Sequence, residues 1–94
     1  MTTIMPEQCR AARAMLGWSQ VELAQRAKVA KQTLADFERG ARKPYARTLD
    51  DIRSILESAG VEFIPENGGG EGVRFRLSRE ERQLRTEGQE DEPQ

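Results

Sequence analysis

Histidine is absent from this sequence, and cysteine occurs only once, at Cys9. A single cysteine cannot close an internal disulfide, and without histidine it cannot complete a classical zinc site. The absence of histidine also excludes the Ser–His–Asp and Cys–His nucleophile systems. The sequence therefore predicts a protein that is not an enzyme and that uses neither a metal nor another cofactor. Its cysteine content is typical of a reducing, intracellular location.

Long apolar segments and aromatic residues are scarce as well. No apolar run approaches the roughly 20 residues needed to span a bilayer, and the N-terminal MTTIMPEQ lacks the basic and apolar segments of a secretory signal. Aromatic residues make up 5% of the chain, so the core must consist mainly of aliphatic side chains. Ninety-four residues suffice for one small domain and leave none for a separate sensor domain. We expect a cytoplasmic protein with no membrane contact and no small-molecule ligand.

Charge is distributed unevenly along the chain, although the net charge is only −1. Between Arg26 and Arg47 there are seven basic and two acidic residues, whereas residues 61–94 contain five basic and nine acidic ones. A cationic patch beside an acidic C-terminal part indicates an anionic partner for the first region.

Apolar residues at helical spacing predict four helices in the first 60 residues. The second helix has the clearest start, because Ser19 and Glu22 have the spacing of a capping box. Gly17, Gly40 and Gly60 are placed to end helices in left-handed geometry. The predicted helices run roughly over residues 6–17, 19–27, 31–39 and 46–59.

The third helix has two distinct faces. Leu34 and Phe37 share one side, while the other side is polar and carries Lys31, Gln32, Ala35, Asp36 and Arg39. Two short helices joined by a tight turn, the second with a polar outer face, form a helix-turn-helix arrangement. Lysine and glutamine at the start of such a helix can reach base edges in the major groove of double-stranded DNA.

The residues that define this arrangement also carry a family resemblance. The pattern Arg13…Gly17-Trp18-Ser19-Gln20-x-x-Leu23-Ala24…Val29…Thr33-Leu34…Phe37-Glu38-x-Gly40…Pro44…Leu49-x-x-Ile52 resembles the phage repressor and Cro type of helix-turn-helix domain, the XRE family, over about residues 6–59. The resemblance implies a repressor-like four-helix fold and a nucleoid-associated, sequence-specific transcriptional regulator. It further implies base contacts from Lys31, Gln32 and Asp36, a phosphate contact from Gln20, and a structural ion pair between Arg13 and Glu38.

Two residues in the turn depart from the family pattern. Lys28 stands where the family usually has glycine, and a non-glycine residue in left-handed geometry costs on the order of 1 kcal/mol. Ala30 replaces the usual serine or threonine cap of the third helix, which forfeits about 1 kcal/mol. Lys28 is also a candidate phosphate contact. The remaining predicted phosphate contacts lie at the end of the third helix and after it: Arg39, Arg42, Lys43 and Arg47.

After Gly60 the apolar period changes from 3.6 to 2, which predicts a β-hairpin with a glycine-rich connection. A two-stranded hairpin is marginal in water, so its apolar side chains must be buried against something. We expect a homodimer, with two recognition helices about 34 Å apart on an inverted-repeat operator; the alternative is a hairpin folded onto its own domain. The predicted dimer interface consists of Val61, Phe63, Ile64, Val73, Phe75 and Leu77.

The expected fold is thus mostly α-helical: a helix-turn-helix domain (1–60), a hairpin extension for dimerisation (61–77) and a charged, disordered tail (78–94). The tail is too poor in large apolar residues to fold alone, although 79–85 could form a transient helix. We expect a transcriptional regulator that acts as a repressor. The alternative is a protein-binding regulator, an antiactivator or antitoxin, whose tail or hairpin engages a protein partner.

Overall fold

A computed structural model describes the backbone of residues 3–90 and the side chains of residues 3–84. It confirms a mostly helical domain followed by a hairpin, and it adds a fifth helix after the hairpin. In chain order the elements are α1 (Pro6–Leu16), α2 (Gln20–Ala27), α3 (Lys31–Glu38), α4 (Ala46–Ser58), β1 (Val61–Ile64), β2 (Gly72–Phe75) and α5 (Arg79–Glu90).

The helix starts follow local sequence signals. Ser19 precedes α2, and its hydroxyl accepts a hydrogen bond from the Glu22 N–H at 3.0 Å. The Glu22 carboxylate does not complete the predicted capping box within the described residues, because it pairs with Arg26 at 2.9 Å instead. Gly17 ends α1 with φ +72°, as its predicted role requires.

Helices α1 to α4 enclose an aliphatic core. Leu23, Leu34, Ile52 and Leu56 are fully buried at its centre, one or two from each of α2, α3 and α4. Phe37 is buried beside them, so the apolar face of α3 points inward as the sequence predicts. The opposite face of α3 is thereby left at the surface.

The hairpin packs on its own domain. Val61 pairs with Phe75 and Phe63 with Val73 in antiparallel register, and Val61 and Phe63 are only 1% and 7% exposed. The Arg53 guanidinium of α4 lies 5.6 Å from the centre of the Phe63 ring. Gly60, at φ +120°, turns the chain back along α4. The hairpin is thus folded onto its own domain, and the homodimer stays a prediction.

The predicted dimer-interface residues differ in their burial. Val61 and Phe63 lie in the core of their own protomer, and their part in an intersubunit surface stays a prediction. The other members of that predicted interface are half-buried: Ile64, Val73, Phe75 and Leu77.

A helix, α5, begins at Arg79 within the predicted tail, whose disorder stays a prediction. Ser78 caps α5, since its hydroxyl accepts from the Glu81 N–H at 3.1 Å and the Glu81 carboxylate accepts from the Ser78 N–H at 2.9 Å. The Arg82 guanidinium lies 4.0 Å from the centre of the Phe75 ring. This helix is longer than the predicted transient one, and residues 91–94 of the predicted tail lie outside the described residues. No helix in the described part of the chain is long and apolar enough to cross a membrane.

Candidate nucleic-acid interface

The turn between α2 and α3 sets the angle at which α3 is presented. Lys28 adopts left-handed geometry (φ 59°, ψ 44°), and its N–H bonds to the Gln25 carbonyl at 3.3 Å. The Val29 N–H bonds to the Ala24 carbonyl at 3.0 Å, and the Val29 side chain packs against the core. Ala30 precedes α3 without a side-chain cap. Lys28 thus has the left-handed backbone that suits the glycine usual in the family. Ala30 occupies the N-cap position where the family usually has serine or threonine.

Glu38 holds the end of α3 against α1 and α2. Its carboxylate is buried and accepts from the Arg13 guanidinium through two bonds, at 2.7 and 2.8 Å. It also accepts from the Gln20 amide at 3.0 Å and from the Cys9 thiol at 3.1 Å. The Arg10 guanidinium donates to the Glu38 backbone carbonyl. The expected pair between Arg13 and Glu38 is therefore present and forms the centre of a larger network.

The network fixes the charge states of its members. Burial alone would raise the pKa of Glu38, but hydrogen bonds from Arg13, Gln20 and Cys9 hold it below its usual range. Burial raises the pKa of the Cys9 thiol, and its bond to Glu38 raises it further. The hydrogen bond to Glu38 raises the pKa of Arg13. Near neutral pH, Cys9 is thus a neutral donor between a carboxylate and a guanidinium.

Gln20 begins α2 and is half-buried, with its amide already bonded to Glu38. A phosphate oxygen only accepts hydrogen bonds, so a phosphate contact from this side chain would use its second amide N–H. The predicted contact is compatible with this position and stays a prediction. The structure adds a connection from the start of α2 to the end of α3, through Gln20 and Glu38.

The outer face of α3 carries a hydrogen-bonded chain of three side chains. Lys31 and Gln32 are exposed in the first turn. The Gln32 amide donates to Asp36 Oδ1 at 2.9 Å, and the Arg39 guanidinium donates to the same oxygen at 2.9 and 3.2 Å. These bonds, that from Gln32 first, lower the pKa of Asp36. The sequence reasoning missed this chain, although the spacings i, i+4 and i, i+3 are those at which helical side chains meet.

The loop after α3 adds positive charge next to this face. Gly40 turns the chain with φ +77°, and Arg42 lies close enough to Asp36 to contribute to lowering its pKa. Several predicted phosphate contacts are exposed and make no salt bridge within the described residues: Lys28, Arg42, Lys43 and Arg47. Arg39 differs from them because it is paired with Asp36 while its side chain remains 67% exposed.

A comparison with protein families matches the same region. A family model described as helix-turn-helix matches residues 10–62, which is more than half of the 94-residue chain. The matched range includes the Arg13–Glu38 pair, the turn at Lys28, the outer face of α3 and the loop after α3. No curated protein matches the chain.

Proposed function

The chain belongs to the XRE-type helix-turn-helix family of DNA-binding regulators, and from this premise we propose that it is a repressor that occupies an inverted-repeat operator as a homodimer. One observation carries the proposal: α3 buries Leu34 and Phe37, is anchored through Glu38, and leaves Lys31 and Gln32 exposed in its first turn. Residues at the start of a recognition helix are the ones that contact base edges in the major groove. A repressor of this kind acts at the chromosome, which supports a nucleoid-associated location.

Lys31 and Gln32 are the proposed base contacts. Lysine donates well to the acceptors of guanine, and glutamine can bond both polar groups on the major-groove edge of adenine. The surrounding cations serve the DNA backbone, since phosphate contacts orient a protein on the duplex without reading sequence. The proposed phosphate contacts are Gln20, Lys28, Arg39, Arg42, Lys43 and Arg47.

Two lysine-to-alanine substitutions should distinguish a base contact from a phosphate contact. Lys31→Ala should weaken binding to the best site by about 1–3 kcal/mol and relax base preference at one position. Lys43→Ala should weaken binding to all sequences alike and reduce the slope of log affinity against log salt by about 1. Titrations of purified protein with the DNA upstream of its own gene, at several salt concentrations, measure both quantities.

Glutamine substitutions provide the matching control. Gln32→Ala should reduce both affinity and base preference, whereas Gln25→Ala, on the exposed surface of α2, should change neither. If Lys31→Ala and Gln32→Ala leave affinity and preference unchanged, α3 is not the recognition helix.

The proposed homodimer uses the outer edge of β2. The Arg76 N–H bonds to the Gly60 carbonyl at 2.9 Å, so Gly60 and Arg76 form a hydrogen-bonded pair. Hydrogen-bonded and non-hydrogen-bonded pairs alternate along an antiparallel ladder, so the next hydrogen-bonded pair is Glu62 with Arg74. The N–H and C=O groups of Val73 and Phe75 consequently point away from β1. A strand edge that no other strand of the sheet pairs is a template for a second strand, and a two-fold axis across it would pair two copies of β2.

A protein-binding role is the second candidate, and α5 is the observation that favours it. Leu84 is 62% exposed, and it is the single large apolar residue of this helix, which lies C-terminal to the basic region 26–47. A regulator that acts by holding a protein partner would keep its activity without Lys31 and Gln32. The substitutions above therefore separate the two functions.

A further inference from the structure

We propose that Asp36 is a positioning residue, which orients the Gln32 amide for reading adenine and does not itself contact a base. This inference rests on the proposed function, since it concerns how α3 selects DNA. It differs from the expectation that Asp36 is one of three base contacts.

One oxygen atom of Asp36 accepts hydrogen bonds from two neighbouring side chains. Asp36 Oδ1 accepts the Gln32 amide from one side, at 2.9 Å, and the Arg39 Nε and Nη2 groups from the other, at 3.2 and 2.9 Å. The three residues follow one another along α3 at spacings of four and three, so they lie in one stripe on its outer face. The side chain of Asp36 is 18% exposed, which is far less than the 67% of Arg39. Asp36 thus lies beneath its two partners rather than projecting beyond them.

A carboxylate fixes which way an amide must face. Ionised aspartate only accepts hydrogen bonds, and its bonds to Gln32 and Arg39 favour the ionised form. The Gln32 nitrogen must therefore face Asp36, because a flipped amide would bring two acceptor oxygens together. The amide oxygen of Gln32 and its second N–H are left for other partners.

This orientation selects among bases. Adenine presents a donor and an acceptor side by side in the major groove, which one oxygen and one N–H can bond together. Guanine presents two acceptors at the corresponding positions, and the fixed amide oxygen would oppose one of them. Gln32 held by Asp36 should therefore prefer adenine, and because its rotamer is already set, less side-chain entropy is lost on binding.

The test is a selection from a randomised pool of double-stranded DNA, followed by sequencing of the bound fraction. The wild-type protein should enrich adenine at one base pair of each half-site, and Gln32→Ala should lose this preference. Asp36→Ala should reduce the same preference about fivefold or more, while its affinity for random DNA stays equal or rises because a negative charge is removed. Asp36→Asn keeps an acceptor oxygen and should retain most of the preference. Asp50→Ala removes the same charge from the exposed face of α4 and should leave the motif unchanged.

A double-mutant cycle separates positioning from direct contact. If Asp36 acts through Gln32, Asp36→Ala should have no further effect on base preference in the Gln32→Ala background. A change at a different base pair in that background would mean that Asp36 contacts a base itself, and the proposal would be wrong. A wild-type motif that survives Asp36→Ala unchanged would also overturn it, with the proposed function intact. A wild-type protein that enriches no motif would instead overturn the proposed function, and the inference with it.

Discussion

At the scale of single residues, Glu38 links the stability of the domain to the position of the outer face of α3. Its carboxylate accepts from side chains on α1 and α2 while its own backbone ends α3. A buried carboxylate of this kind is tolerable only because every lone pair meets a donor. Any change at this position should therefore alter both the free energy of unfolding and the angle of α3.

Glu38→Gln should lower the free energy of unfolding by about 3 kcal/mol, because it leaves the Arg13 guanidinium without its counter-ion. The pH dependence has a definite sign. The pKa of Glu38 is lower in the folded state than in the unfolded chain, so its contribution is complete above the unfolded value of about 4.3. That contribution is lost as the pH falls through the folded pKa. Wild-type stability should decline there, and the variant should lack this part of the decline.

Urea denaturation at a series of pH values measures both effects. Glu22→Gln is the matched control, because Glu22 makes an exposed pair with Arg26, and such a pair contributes only about 0–1 kcal/mol. Equal losses in the two variants, or an unchanged acid limb in Glu38→Gln, would contradict the role given to the buried carboxylate.

At the scale of an element, the α2–α3 turn is strained at Lys28, where the family usually has glycine. Lys28 has φ 59° in an exposed position, where glycine would have no Cβ penalty. Lys28→Gly should raise the free energy of unfolding by about 1 kcal/mol. Lys28→Ala keeps the Cβ and should give no gain. Thermal unfolding of both variants, followed by circular dichroism, distinguishes a strained turn from an effect of charge.

The same two variants test whether Lys28 touches DNA. If its ammonium contacts a phosphate, both should lose the same affinity for all sequences and reduce the salt slope by about 0.9. A loss in Lys28→Gly alone would mean that the turn, and not the charge, affects binding.

The helices are encoded by local signals in the sequence, whereas the packing of the hairpin depends on the tertiary fold. The periodicity and the cap at Ser19 were sufficient to predict α1 to α4, since both signals are local. Gln32 and Asp36 have the i, i+4 spacing at which helical side chains meet. Their hydrogen bond was not predicted, because each side chain was interpreted separately as a base contact. Alternation in the hairpin indicated that Phe63 lies on an apolar face, but not which surface covers that face, because α4 is brought there only by the tertiary fold.

The fifth helix depends on specific contacts that composition does not show. Composition predicted disorder, because few large apolar residues follow Leu77. The capping pair of Ser78 and Glu81 and the contact of Arg82 with Phe75 are specific interactions that an averaged composition does not register. Disorder of the whole tail in solution stays a prediction.

At the scale of the whole molecule, one recognition helix contacts only a few base pairs, so the proposed repressor depends on two copies. The hairpin has already buried Val61 and Phe63 within the protomer. The proposed pairing uses the edge of β2, where the backbone groups of Val73 and Phe75 point away from β1. A substitution that blocks this edge without emptying the core would separate dimerisation from folding.

Val73→Pro meets that requirement. Proline removes the N–H that points away from β1, and no hydrogen bond of the hairpin is lost, since Phe63 and Val73 form a non-hydrogen-bonded pair. Sedimentation equilibrium should give a dimer for the wild type and for Val73→Ala, but a monomer for Val73→Pro. The monomer should retain its helical circular dichroism spectrum. It should bind a single half-site with the same affinity as one wild-type protomer, but it should lose the preference for an inverted repeat. A wild-type monomer at micromolar concentration would refute the dimer, and a dimeric Val73→Pro would show that another surface joins the two copies.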